Sequence, residues 1–132
     1  MILSDDYNEL HVLLRAIMVL KFEVGSSDNR VRECAGSKIL AKALIDICDA
    51  MREMSKKAGH EENVKYIDQG LRRPDKIEMR YIKSVCGHVE CAEPYWSKLS
   101  HEQKDEYLRV LFSPMEMNNE ARLQVLKMCG DM

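Results

Sequence analysis

A chain of 132 residues with 20 basic and 22 acidic side chains is long enough for one domain that buries roughly two thirds of its unfolded surface. Its net charge of −2 excludes a general attraction to nucleic acid or to an anionic membrane, so any such site must be a local patch. An apolar content of 45% excludes a disordered chain.

Six Gly and three Pro leave little material for turns. Abundant Leu, Met, Ala, Glu and Lys favour helices over sheet, so the expectation is an all-α fold, a compact bundle of about six helices. The five cysteines are an odd number, and the N-terminus has no export pattern. Together these point to reduced thiols and a cytoplasmic protein. The run Val12 to Leu20 is too short to span a bilayer and carries Arg15, so no membrane association is expected.

In chain order, the first helix begins at Ser4 as N-cap, with Asp5, Asp6 and Glu9 complementing the dipole. Leu10, Leu13, Leu14, Ile17 and Met18 form one face, but Val12, Val19 and Leu20 spill onto the others. A helix apolar nearly all round is either a central core element or a homodimer interface. After the loop Gly25 to Arg30, a long helix starts near Asp28 or later and reaches about Ala58, with a kink or interruption at Ala35–Ser37. Leu40, Leu44, Ile47, Met51 and Met54 make a short heptad seam along it, read as packing within a bundle. Gly59 closes this helix in a left-handed conformation. A short helix from Glu61 to Gln69 is stopped by Gly70, and Pro74 opens the next, which Gly87 ends. Ser100 caps a further helix, with Gln103 at capping-box spacing. The last helix covers Asn118 to Cys129.

The stretch from Ile67 to His88 carries the most specific pattern. Val64, Ile67, Asp68, Gly70, Arg72 and Pro74 are followed by Met79, Ile82, Val85, Cys86 and Gly87. This resembles the second half of the phage Cro/repressor-like helix-turn-helix family, and "MSKKAG" (Met54 to Gly59) resembles the end of that family's second helix. The likeness spans about a quarter of the chain. It implies a recognition helix entering the major groove, with Asn63, Lys65 and Tyr66 at bases or backbone and Asn63 suited to adenine. Arg72 and Arg73 would hold phosphates, and Lys76, Arg80 and Lys83 would extend a basic stripe along the next helix. From Val64 to His88 there are six basic residues against three acidic. The organisation expected is a single helical domain over 1–132. Within it, 1–25 is a candidate oligomerisation helix, 39–88 the helix-turn-helix region and 89–132 the C-terminal helices.

Other chemistry is sparse. Cys86, His88 and Cys91 are soft ligands in sequence proximity, but their spacing is not that of a zinc pair, and His101 or Cys129 could complete a set only by folding. No metal or cofactor is expected. Cys34, Cys48 and Cys129 lie among apolar neighbours as small core residues. Without a phosphate-binding Gly loop, a Ser elbow or a His-Glu-x-x-His motif, the chain reads as a non-enzyme.

Two functions follow. The favoured one is a small DNA-binding regulator, dimeric through its first helix. The alternative is a helical protein-binding module, an inhibitor or adaptor. It is motivated by the acidic net charge, Glu61 and Glu62 at the start of the recognition helix, and nine Met. In that reading Tyr95, Trp96 and Leu99, if exposed together, anchor the partner.

Overall fold

The computed structural model describes residues 4–131. Among them lie seven α-helices and no strand: α1 (Tyr7–Phe22), α2 (Asn29–Ala35), α3 (Lys38–Lys57), α4 (Glu61–Lys65), α5 (Met79–Cys91), α6 (His101–Phe112) and α7 (Asn119–Met128). α4 runs on as a wider π-helical coil over Tyr66–Arg72, and a 3₁₀ turn occupies Trp96–Lys98. The all-α expectation holds.

Most boundaries follow from capping chemistry. The Asp6 carboxylate accepts the Glu9 N–H at 3.1 Å and starts α1. Ser4, the expected cap, instead donates to the Glu9 carboxylate at 2.6 Å. The long second helix is interrupted at the expected place, Ala35–Ser37, and is two helices. Asp28 caps α2, α2 stops before Gly36, and the Ser37 hydroxyl accepts the Leu40 N–H at 3.2 Å to start α3. A side chain that satisfies a free N–H outcompetes continuation through a glycine. Ser100 and Gln103 form the reciprocal capping box of α6, at 2.9 and 3.2 Å, and Asn118 caps α7. Gly59 has φ +72 and closes α3 in the left-handed region.

Three glycine and proline readings are corrected. Gly70 does not end its helix, which widens and runs on to Arg72, where the Arg73 N–H donates back to the Asp68 carbonyl at 2.8 Å. A Cβ at Gly70 would sit 3.2 Å from the Tyr66 ring, so the glycine makes room for that ring. Pro74 does not open a helix. Residues 73–78 cross from α4 to α5 with Ile77 buried as their anchor, and α5 starts only after an extended Glu78. Gly87 lies inside α5, where a Cβ would meet the Ser26 hydroxyl at 2.9 Å. It permits the close approach of the α1–α2 loop and caps nothing.

Two apolar clusters form the interior. The smaller packs Leu10 and Leu14 of α1 against Leu44, Ile47, Cys48 and Met51 of α3 and Ile67 and Leu71 of the α4 coil. The larger gathers residues of α2, α5, α6 and α7, among them Val85, Val89, Trp96, Leu108, Phe112 and Val125. α1 reaches both, because Phe22 at its end belongs to the larger cluster and Met18 packs against each. Forked ion pairing joins α3 to α4, with Arg52 on Asp68 at 2.7 and 3.0 Å, and Arg122 reaches Asp105 between α7 and α6 at 2.7 Å.

Between the clusters lies a buried cation. Lys21 is 2% exposed, and its ammonium donates to the Val110 carbonyl at 2.7 Å and the Ser113 carbonyl at 2.6 Å. Those carbonyls end α6, where the helix dipole is negative and acceptors lack intrahelical partners. The Phe22 ring lies 5.5 Å from the nitrogen. The Lys21 carbonyl in turn meets His88 Nε2 at 3.3 Å, while the buried His88 Nδ1 has no partner among the described residues. Burial pulls the His88 pKa down, the ring's contact with the Lys21 carbonyl opposing this.

Burial draws the Lys21 pKa down from 10.5 to about 7. Between those values the unfolded chain keeps a proton that the folded chain has released. Stability therefore rises with pH across this window and is lowest below it. Urea unfolding from pH 7 to pH 10 should show the wild type gaining on the order of 1 kcal/mol per pH unit relative to Lys21→Met. At pH 7 and below, Lys21→Met should still lose ~1–3 kcal/mol, because the Ser113 carbonyl loses its side-chain donor and the Val110 carbonyl keeps only the Ser113 N–H at 3.3 Å. Parallel pH profiles of the two proteins would show that Lys21 does not titrate there.

Candidate macromolecular interface

The two candidate surfaces are the α4–α5 region, expected to face DNA, and the outer side of α1. α4 follows α3 through the turn at Gly59, and Val64 and Ile67 are buried beneath it, as a helix seated on α3 requires. α3 is unbroken from Lys38 to Lys57. Of the three base-reading candidates, Asn63 is half-buried and Lys65 exposed. Tyr66 is engaged: its hydroxyl is 3.1 Å from His11 Nε2, and the two rings meet edge to face at 5.6 Å.

The phosphate-clamp candidates point inward along the surface. Arg72, with a side chain 13% exposed, donates from Nη1 to the Pro114 carbonyl, and its Nη2 lies 3.6 Å from Glu116. Arg73 pairs with the other Glu116 oxygen at 3.2 Å. The Glu116 N–H closes the arrangement by donating to the Arg72 carbonyl at 2.7 Å. The two arginines thus tie the end of α4 to the loop between α6 and α7. Arg80 is similarly committed. Its guanidinium contacts Glu78 at 2.8 Å and Glu23 at 3.0 Å, and stacks over the Tyr81 ring at 4.6 Å.

Lys76 and Lys83 are exposed, but Lys76 precedes α5, so 76, 80 and 83 do not form one helical stripe. With Lys65, they have no carboxylate within 4.0 Å among the described residues.

The aromatic loop does not meet its condition of joint exposure. Trp96 is 3% exposed, and its indole N–H donates to Asp131 at 3.0 Å, with Lys104 on the same carboxylate at 3.0 Å. Leu99 is half-buried against the larger cluster, and Tyr95 alone projects outward, beside Tyr107. His88, expected outside its helix, is within α5 and buried. Its ring faces Lys21 while Cys86 faces Met128 and Cys91 faces Ser26. These three soft donors do not converge on a common point.

The outer side of α1 carries a feature the sequence only half announced. Val12 is 70% exposed, Val19 43% and Leu13 36%, with Ala16 exposed between them. At 100° per residue, positions 12, 16 and 19 share one face, and Leu13 and Leu20 lie on its flank. Apart from this stripe, the start of α1 and the outer side of α3 frame a groove of about 630 Å³, to which α1 contributes Leu10. Its floor includes Leu10, Ala43, Ile47, Ala50 and Met54, and Ile39 of α3, 85% exposed, stands at its edge. The signal in the sequence was the excess of apolar residues on α1. Which of them stayed outside depended on where α3 and α5 packed.

No protein-family model matches this chain, and neither a curated protein nor a solved structure matches it.

Because Arg72 satisfies a buried loop carbonyl, Arg72→Ala should cost ~1–3 kcal/mol in urea unfolding. Arg73→Ala removes only an exposed ion pair and should stay within about 0.5 kcal/mol. Equal effects of the two substitutions would refute the tie between α4 and the α6–α7 loop.

Proposed function

We propose that this chain acts by binding another protein, as a helical adaptor or inhibitor, with the outer face of α1 as its contact surface. The observation that carries this is the outward apolar stripe of Val12, Leu13, Ala16 and Val19 on a helix whose opposite face is already buried. A contiguous exposed apolar patch on an otherwise charged surface marks an interaction site. Small Ala16 at its middle allows a partner backbone to come close.

The charges bracketing the stripe favour a particular occupant. Glu9 lies on the same face at one end, with Asp5 beyond it, while Glu23 at the other end is already paired with Arg80 at 3.0 Å. A partner helix with an apolar centre and a basic end set against Glu9 and Asp5 complements this pattern. A second copy of α1 does so less well. Run parallel it sets Glu9 against Glu9, and run antiparallel about Ala16 it sets Glu9 against Glu23.

A synthetic helical peptide with a Leu/Ala face and lysines at one end is the probe. In fluorescence anisotropy it should bind the wild type, and Val12→Glu/Val19→Glu should weaken binding at least tenfold while circular dichroism stays unchanged. Equal binding by both proteins, or none by the wild type, would overturn the reading. A dimer in sedimentation equilibrium, abolished by the same substitutions, would replace the heterologous occupant with a second copy.

DNA binding through α4 is the second reading. It rests on the Gly59 turn, the seated Val64 and Ile67, and the unpaired Lys65, Lys76 and Lys83. The engagement of Arg72, Arg73 and Arg80 with Glu116, Glu78 and Glu23 weighs against it. Its test is anisotropy with random duplex DNA across a salt series, where Lys65→Glu/Lys83→Glu should abolish a steep salt dependence. These lysines make no ion pair among the described residues, so the test leaves the fold intact.

A further inference from the structure

The start of α1, the end of α3 and the entry to α4 frame a polar cleft of about 490 Å³. Asp5 and Asp6 line it from the α1 end, His60 and Asn63 from α4, and Met54 and Ser55 from α3. None of these residues belongs to the stripe of Val12, Leu13, Ala16 and Val19.

Ser55 is 2% exposed, and its hydroxyl has no hydrogen-bond partner among the described residues. A serine inside a helix often bonds back to the carbonyl four residues earlier, here that of Met51, and Ser55 does not. A buried hydroxyl without a partner is destabilising. A polar group entering the cleft would supply one.

The charge around the cleft selects the kind of group. No lysine or arginine lines it. Neither aspartate has a basic side chain within 4.0 Å among the described residues. Segments 5–9 and 53–63 together hold six acids, Asp5, Asp6, Glu9, Glu53, Glu61 and Glu62, against Lys56 and Lys57. α3 also ends here with its negative pole. The positive pole of α1 is offset by Asp6, whose carboxylate accepts the Glu9 N–H. Such a field repels an anion and favours a cation. A metal ion is not the match, because among the described residues no three His, Cys, Asp or Glu side chains converge to hold one.

We infer that this cleft binds a primary alkylammonium, the charged end of an aliphatic amine. An ammonium carries three N–H donors and no acceptor. The Ser55 hydroxyl, the Asn63 side-chain oxygen and the Asp5 carboxylate are acceptors of the required kind, and Met54 offers the methylene stem an apolar wall. Asp6 adds negative charge while keeping its place as the cap of α1.

The test is a titration of isotopically labelled protein with butan-1-amine, followed by the amide chemical shifts. Saturating shifts at Ser55, His60 and Asn63 are expected. Tetramethylammonium, which has the charge but no N–H, should not produce them. Asp5→Asn and Ser55→Ala should each weaken binding by about tenfold, the scale of one hydrogen bond to a charged group. Ser55→Ala removes a hydroxyl that has no partner, so its melting temperature should stay level or rise, which separates lost binding from lost folding. A parallel titration with Nα-acetyl-lysine amide, of equal charge, distinguishes the sources. Tighter binding of butan-1-amine supports a free amine as the ligand, and tighter binding of the lysine derivative supports a lysine side chain. Shifts that never saturate, that tetramethylammonium reproduces, or that Ser55→Ala leaves unaltered would overturn the site. A melting temperature lowered by Ser55→Ala would do the same, since it would reveal a structural partner for the hydroxyl.

Discussion

The Lys21 ammonium against the last carbonyls of α6 is the contact on which the rest of the arrangement turns. A buried lysine is tolerated only where acceptors replace its hydration. Here the replacement is the C-terminal end of a helix, whose carbonyls need donors as much as the ammonium needs acceptors. This fixes the end of α1 at the point where α6 gives way to the 113–116 loop. It also makes α1 a member of both apolar clusters, with Leu10 and Leu14 in one and Phe22 in the other. The Lys21 backbone carries the contact onward to Ser84 and His88 of α5, so one residue of α1 touches two other helices.

The same loop explains why the surface of α4 is not a cationic comb. The 113–116 segment leaves the Pro114 carbonyl and the Glu116 carboxylate near the end of α4. Arg72 and Arg73 neutralise both. A guanidinium with five donors is well matched to a carbonyl and a carboxylate together. Arg80 plays a comparable part between α1 and the start of α5, through Glu23 and Glu78. Positive charges counted along a sequence are thus removed from the external field by acids distant in the chain. What remains outward is the apolar stripe on α1, together with Lys65, Lys76 and Lys83, which have no carboxylate partner among the described residues.

Local chemistry was legible. Asp28, Ser37, Ser100 with Gln103, and Asn118 cap helices because each carries an oxygen that reaches an N–H two or three residues on. Gly59 turns left-handed because it ends a helix with nothing crowding it. The α3 seam buries Leu44, Ile47 and Met51 and half-buries Leu40 and Met54. The misreadings were glycines and a proline whose meaning is tertiary. Gly70 accommodates the Tyr66 ring, Gly87 accommodates Ser26, and Pro74 leads into a segment anchored by Ile77.

By itself, then, the sequence determined an all-helical chain, most of its helix ends and the apolar seam of α3. Those depend on interactions within a few residues. It also determined that α1 carries more apolar surface than one core face needs. Only the tertiary structure decided which part of α1 stayed outside, that Lys21 is buried, that Trp96 faces Asp131, and that Arg72, Arg73 and Arg80 are internally paired. Each of those depends on a partner tens of residues away. The spacing of side chains along one helix carries no information about which distant acid or carbonyl the packing will bring to them.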